Sequence, residues 1–435
     1  MPFFSTIVFL IYLTARSVQL SIAPATQFEE TPVKTALLFA SYAFAAAMAV
    51  VHYRTLERTL LRLWPFVMLC VIVFATSFNG DSSVSLLRGG HVLGLFLMAV
   101  CADLAFRGDY DRFLRVMLWF CLTCMALSIV TVIVLPARGM VNPAWNNLRW
   151  VGVTGHPNLL GAIGIAGMWA LLSLAARHRW TMGSMLRGGI AAIVILIPTV
   201  LSDSRTSQLT IAVMVALFWI LGGSRLRPAS IATRLVIALC LVGFGAVTLS
   251  ALGMNLPFFG VREGATDSLS GRPEIWAAGI DTILNHPFGI SNDNLTAYWA
   301  RSTINAPEKY THFHDGYLDV TAKGGVIAGV ALLLILGKML RDVGRTVSVD
   351  YGLFRSGMML TVSLMFYNLQ ETSFMRENIL WSLQIIAWLM LIVSYRRTMD
   401  EMVEDAGDED EGDAADDDRL ATLAPAVPKG RNLRA

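Results

Sequence analysis

Charge is what this chain has least of. Only 15% of its 435 residues are Asp, Glu, Lys or Arg, against 55% hydrophobic, and mean hydropathy is +0.57. A soluble protein carries about a quarter charged residues, so that class is excluded. Cysteine is also scarce. All five (Cys70, Cys101, Cys121, Cys124, Cys240) lie inside apolar runs, where they read as small packing residues. Cys121 and Cys124 form a C-x-x-C without a partner pair, which indicates neither a zinc nor a redox site. The chain lacks a G-x-x-x-x-G-K-[ST] phosphate loop, a metal-ligand spacing and an internal repeat. His312 and His314 stand two apart, a spacing that points them about 200° apart on a helix. Joint metal ligation by that pair therefore needs non-helical backbone. The first apolar run has no charged start and no small-residue cleavage site, so it reads as a first span and not as a cleaved signal.

What is present is apolar helix. Crossing a hydrocarbon core takes about 20 residues. Twelve runs approach that length, at 3–20, 34–51, 63–79, 86–105, 114–136, 157–176, 188–201, 206–222, 235–253, 319–339, 356–371 and 378–395. The seventh and eighth are parted only by Ser202-Asp203-Ser204-Arg205. Basic residues alternate with these runs. One set of connections is rich in them, as in Arg54, Arg58 and Arg62, or Lys338, Arg341, Arg345 and Arg355; the other set is poor, with Lys34, Arg88 or Arg376 alone. The rich side is cytoplasmic by the positive-inside rule. Both termini are expected there, with membrane lipids as the surroundings and no sign of a nucleic-acid partner. The predicted fold is all-α: a polytopic membrane domain over 1–395 with about 12 transmembrane helices, one long, partly helical periplasmic loop at 254–318, and a disordered acidic cytoplasmic tail at 396–435.

The long loop holds three of the seven histidines. A polar connection of that length in a compact protein is usually functional or disordered, and its many aromatics argue for order. Arg272, in Gly271-Arg272-Pro273-Glu274, reads as the start of a helix with Pro273 in its first turn. Backbone N–H groups there favour an anion, and a guanidinium beside them suits a phosphate or pyrophosphate. Pairing with a nearby carboxylate is the plainer use. Arg205 lies among small hydroxylated residues between two apolar runs, as at a ligand-facing break or as an interface anchor. His314, beside Asp315 and Asp319, is able to exchange a proton near neutral pH, or to serve structurally. Weaker candidates for the same outer cavity are His156 and Asn158 with Arg149, Arg88 with His91, and Glu371 with Arg376.

These segments resemble the O-antigen ligase and polysaccharide polymerase superfamily of bacterial envelope glycosyltransferases. The likeness rests on Leu201-Ser-Asp-Ser-Arg-Thr206, on Leu269-Ser-Gly-Arg-Pro-Glu-Ile-Trp276 with Asn285-His-Pro-Phe-Gly289, and on His314-Asp-Gly-Tyr-Leu-Asp319 with Gly324-Gly325. Gly155-His-Pro-Asn-Leu-Leu-Gly161 belongs to the same pattern. The resemblance implies a GT-C-like fold in the bacterial inner membrane with a periplasmic cavity, a donor glycan on undecaprenyl diphosphate, and neither cofactor nor metal. By motif position the catalytic residues fall on Arg205, Arg272 and His314. Arg88, His156, Asn158, Trp276, Asp315 and Tyr317 are the substrate-binding candidates. One departure stands out, since Asp315 follows His314 where the superfamily commonly has Asn or Ser; this carboxylate either raises the basicity of His314 or caps the next helix. The implied reaction is inverting glycan transfer, by a ligase to lipid A–core or by a polymerase to another lipid-linked repeat, with a chain-length regulator or other assembly proteins as expected partners. A transporter or flippase would call for inverted repeats and mid-membrane charges, and neither is evident.

Overall fold

The computed structural model describes residues 2–19, 32–78, 83–141, 148–179, 181–223, 231, 234, 272–291, 312–376 and 378–421; at 83–85, 88, 272–274 and 405–421 it describes the backbone only. In chain order the helices are α1 (Pro2–Ser17), α2 (Pro32–Val51), α3 (Tyr53–Arg62), α4 (Trp64–Ser77), α5 (Ser83–Phe106), α6 (Tyr110–Val134), α7 (Pro136–Gly139), α8 (Pro157–Arg177), α9 (Met182–Leu201), α10 (Arg205–Ile220), α11 (Arg272–Asn285), α12 (Gly316–Arg345), α13 (Tyr351–Tyr367) and α14 (Ile379–Ala421). The strands among the described residues form one short antiparallel pair, β1 (Met140–Val141) with β2 (Arg149–Trp150). The architecture is an all-α polytopic membrane protein. Eleven of the twelve apolar runs fall on helices, and among the described residues seven helices are long and apolar enough to cross a membrane by themselves. The ninth run, at 235–253, lies outside the described residues, as does most of the long loop.

Helix α8 is largely buried. Gly161, Ala162, Gly164, Ala166, Gly167, Ala170 and Ser173 make up half of its buried residues, so neighbouring backbones approach closely, the device that replaces the hydrophobic effect between helices in lipid. It packs on α6, α9, α10, α13 and α14. Helix α9 is peripheral, exposing Met185, Ile190, Ile193 and Ile197. Helices α3 and α4 meet at 91°, because Pro65 in the first turn of α4 lacks the N–H needed to continue α3. Helix α14 runs to Ala421, well beyond the last apolar run. The disorder expected from residue 396 does not hold for the first of those residues: Arg397 donates to Glu401 at 2.8 Å, a helix-supporting i,i+4 pair.

Helix α12 positions the site. It is kinked at Gly325, whose φ of 77° and ψ of 175° fall where L side chains are strained. Into this kink docks the turn after α11, with Val326 N–H donating to the Pro287 carbonyl and Ile290 N–H to that of Ala322, both at 2.9 Å. A Cβ at Gly325 would stand 2.7 Å from backbone atoms of Pro287 and Phe288, and one at Gly289 would stand 2.5 Å from Gly325 N. The Asn285-His-Pro-Phe-Gly289 and Gly324-Gly325 segments are thus two halves of one joint. Gly325→Ala is expected to destabilise the detergent-solubilised protein by about 1–3 kcal/mol, seen as a lowered Tm. Gly337→Ala, in the same helix with open space around it, is expected to be neutral or stabilising by up to about 1 kcal/mol. Equal melting of the two variants would contradict the joint.

Candidate active site

The head of α12 is built by its own sequence. Asp315 accepts hydrogen bonds from the N–H groups of Tyr317 and Leu318, both at 2.9 Å, so this carboxylate caps the helix. Burial raises the Asp315 carboxyl, against the pull of those two bonds. Phe313 is fully buried against Ile275, Ala278 and Ala322. Its N–H is held by Asp319 Oδ1 at 2.9 Å. His314 has a left-handed φ of 50°, a conformation that His adopts more readily than most residues. The backbone here is not helical, so the separation expected for His312 and His314 on a helix does not apply. Their rings meet at 4.0 Å.

Both imidazoles converge on Glu371. His312 Nε2 lies 3.1 Å and His314 Nδ1 3.2 Å from its Oε1. The same oxygen accepts from Thr372 N–H at 3.2 Å, while Oε2 accepts from Asn158 Nδ2 at 3.1 Å. Glu371 is held in place by a turn built on Asn368, whose Oδ1 accepts from the N–H groups of Ser373 at 2.8 Å and Phe374 at 3.1 Å. That turn is locked to α12 by Gly316 N–H donating to the Asn368 carbonyl at 2.8 Å. Burial pushes the Glu371 carboxyl up, but the hydrogen bonds from His312 and His314 outweigh it and hold the group well below the usual carboxylate range. An ionised carboxylate only accepts, so each histidine donates from the nitrogen facing Glu371. In the neutral tautomer that donates to Glu371, the lone pair of His314 lies on Nε2, the nitrogen a general base would use.

The network continues to α10. Arg149 donates through Nε to the Ser202 carbonyl at 2.9 Å and through Nη2 to the Asp203 carbonyl at 3.0 Å. It also reaches Asn158 Oδ1 at 3.4 Å. It thereby clamps the α9–α10 turn, where Asp203 has φ 49° and Arg205 is the first residue of α10. One chain of contacts thus runs from the Arg205 turn through Arg149, Asn158 and Glu371 to His314.

Other expected residues divide. His156 accepts from Asn158 N–H at 3.2 Å, as the cap of α8. Tyr317 commits its hydroxyl to the Met365 carbonyl at 3.1 Å. Trp276 has an indole N–H that is buried with no partner among the described residues. Arg272 is the first residue of α11, the helix packed on Phe313, with its side chain outside the described residues. The same holds for Arg88, on α5. Arg149, Glu371 and Arg376 are more central than their sequence setting suggested. What marked them was charge at the ends of apolar runs. Nothing in sequence revealed that a loop near residue 150 and another near 371 meet.

Burial takes His312 down to about 4, with Arg376 pushing the same way and Glu371 opposing. Burial likewise takes His156 to about 4. His312 Nε2, His314 Nδ1 and a Glu371 oxygen lie within 4.8 Å of one another, a donor set able to hold a transition metal. Both oxygens of Glu371 are already hydrogen-bonded, and a cation, Arg376, acts on the pair.

Residues 190–333, about a third of the chain, are similar to the O-antigen ligase family model (Wzy_C). The matched stretch holds Arg205, Arg272 and His314, while Arg149, Asn158 and Glu371 lie outside it. No curated protein matches the chain.

Both shifted histidines bind fewer protons folded than unfolded between pH about 6.5 and about 4. Stability is therefore expected to rise with pH across that window and to fall on acidification. Melting in detergent between pH 7 and 4.5 measures this. The double variant His156→Gln, His312→Gln should flatten the slope above pH about 5; an unchanged slope would contradict neutral, buried imidazoles.

Proposed function

We propose that this protein is a membrane glycosyltransferase of the O-antigen ligase type. In this reading it moves a glycan from undecaprenyl diphosphate to a hydroxyl of lipid A–core at the periplasmic face of the bacterial inner membrane. The carrying observation is the hydrogen-bond chain that ties His314, through Glu371, Asn158 and Arg149, to the turn that starts at Ser202 and leads into Arg205. Cleaving the bond between anomeric carbon and diphosphate leaves negative charge on the departing lipid diphosphate. Arg205 and Arg272, both at helix starts, stabilise that charge without a divalent cation. His314 accepts the proton of the acceptor hydroxyl through Nε2, and the hydroxyl attacks from the face opposite the leaving group, inverting the centre. Glu371 fixes the tautomer and orientation of His314 and stabilises the imidazolium as it forms, the work of the third member of a catalytic triad. The indole N–H of Trp276 is available to a donor sugar or phosphate.

Loss of Arg205, Arg272 or His314 to Ala is expected to lower transfer by about 10²–10³-fold or more, with membrane insertion intact. Glu371→Gln should cost kcat about 10²–10⁴-fold with a smaller effect on KM. The assay is transfer from synthetic lipid-linked oligosaccharide by purified protein. EDTA is expected to leave the rate unchanged; loss restored by one added metal would reassign the histidine pair as ligands. In a deletion strain, long chains accumulating beside bare core identify the ligase. Single unpolymerised repeats would instead identify a polymerase that joins lipid-linked units. Full complementation by all three alanine variants would overturn the assignment.

A further inference from the structure

At the far end of α12 from His314, the helices enclose a second charged site. Arg62 at the end of α3, Lys338, Arg341, Asp342 and Arg345 on α12, and Arg396 on α14 line a cleft of about 240 Å³. That is five cations against one carboxylate. Asp342 is already engaged: it accepts from Lys338 at 2.6 Å and from the Trp388 indole at 3.1 Å. Its contacts with Arg341 and Arg345 are long, at 3.9 and 4.0 Å, and both of those side chains are largely exposed. Arg62 is different. Its side chain is only 10% exposed and its Asp103 contact is 3.6 Å, while its Nε is buried without a hydrogen-bond partner among the described residues. A buried guanidinium so thinly matched carries a desolvation cost that a bound anion would offset.

The remaining wall is apolar or amphipathic: Leu61, Trp64, Ile392 and Tyr395. Trp64 is half exposed and Leu61 70% exposed. Helix α3 beside it turns 91° from α4 and carries Arg54 and Arg58 as well as exposed Tyr53 and Leu61, the pattern of a helix lying in a membrane interface. Tryptophan and tyrosine favour the same level. The basic connections assign the cleft to the cytoplasmic surface.

We propose that this cleft binds the phosphate headgroup of an anionic phospholipid. Arginine forks match phosphate oxygens in bidentate fashion. A basic pocket between spans, flanked by apolar surface for an acyl chain, answers to a lipid of the negatively charged leaflet; a soluble phosphate would use the cations alone.

The test uses the full-length protein in neutral detergent, with native mass spectrometry and thermal shift as readouts of added cardiolipin, phosphatidylglycerol, phosphatidylcholine or inorganic phosphate. The two anionic lipids are expected to stay bound and to raise Tm, and phosphatidylcholine and inorganic phosphate to do neither. The double reversal Arg341→Glu, Arg345→Glu, at exposed positions that should not disturb folding, is expected to weaken cardiolipin binding about tenfold or more. Arg187→Glu, exposed on α9 away from the cleft, should leave it unchanged. Arg62→Gln should weaken binding as well, with a folded Tm as control. The proposal is overturned if lipid binding ignores headgroup charge, or if Arg187→Glu weakens it equally. It is also overturned if millimolar phosphate reproduces the shift, or if binding appears only once the acids between 401 and 418 become Asn and Gln, which would make the protein's own acidic segment the occupant.

Discussion

A single buried carboxylate joins distant segments of this chain. Glu371 is 6% exposed and accepts from four donors on three chain segments, the head of α8, the approach to α12 and its own turn. A charge so placed is tolerable only when each lone pair is used. Removing one donor therefore disturbs the others. The two histidines and Asn158 hold their orientations because the charge they surround has no cheaper arrangement. Steric support comes from the Asn368 turn beneath it, which is pinned to α12 through Gly316.

A second constraint is purely one of backbone. Helix α11 and helix α12 approach through a glycine joint in which neither partner has room for a side chain, and Phe313 fills the space between them. The consequence reaches the proposed chemistry. Arg272 opens α11 and His314 precedes α12, so the joint sets where one helix start stands relative to the other. Motifs that look unconnected in sequence, an Asn-His-Pro-Phe-Gly stretch and a Gly-Gly pair, are one mechanical element.

Much of this was legible beforehand. Apolar runs foretold the helices because the demand for about 20 apolar residues per crossing is so restrictive. Pro273 marked the start of α11, and the Asp315 cap was one of two readings open for that residue. Three things were not legible. The sharp bend at Leu63 falls where a basic stretch read as a connection meets an apolar run, and Pro65 alone carried the signal. The meeting of His312 with His314 needed a left-handed residue that spacing does not report. The Arg149–Asn158–Glu371 connection is tertiary, linking residues more than two hundred positions apart, and only charge in unexpected places pointed to its members. Helix α14 also outlasts its apolar part, since Glu, Ala and Met continue a helix as well as leucine does.

Several apolar helices are shorter than a hydrocarbon core. Helix α1, helix α4 and helix α10 have 16, 14 and 16 residues, so each rises only about 21–24 Å, and α1 and α4 turn Phe3, Phe4 and Val71 outward. A bilayer that meets these faces has to thin locally or leave hydrocarbon against water.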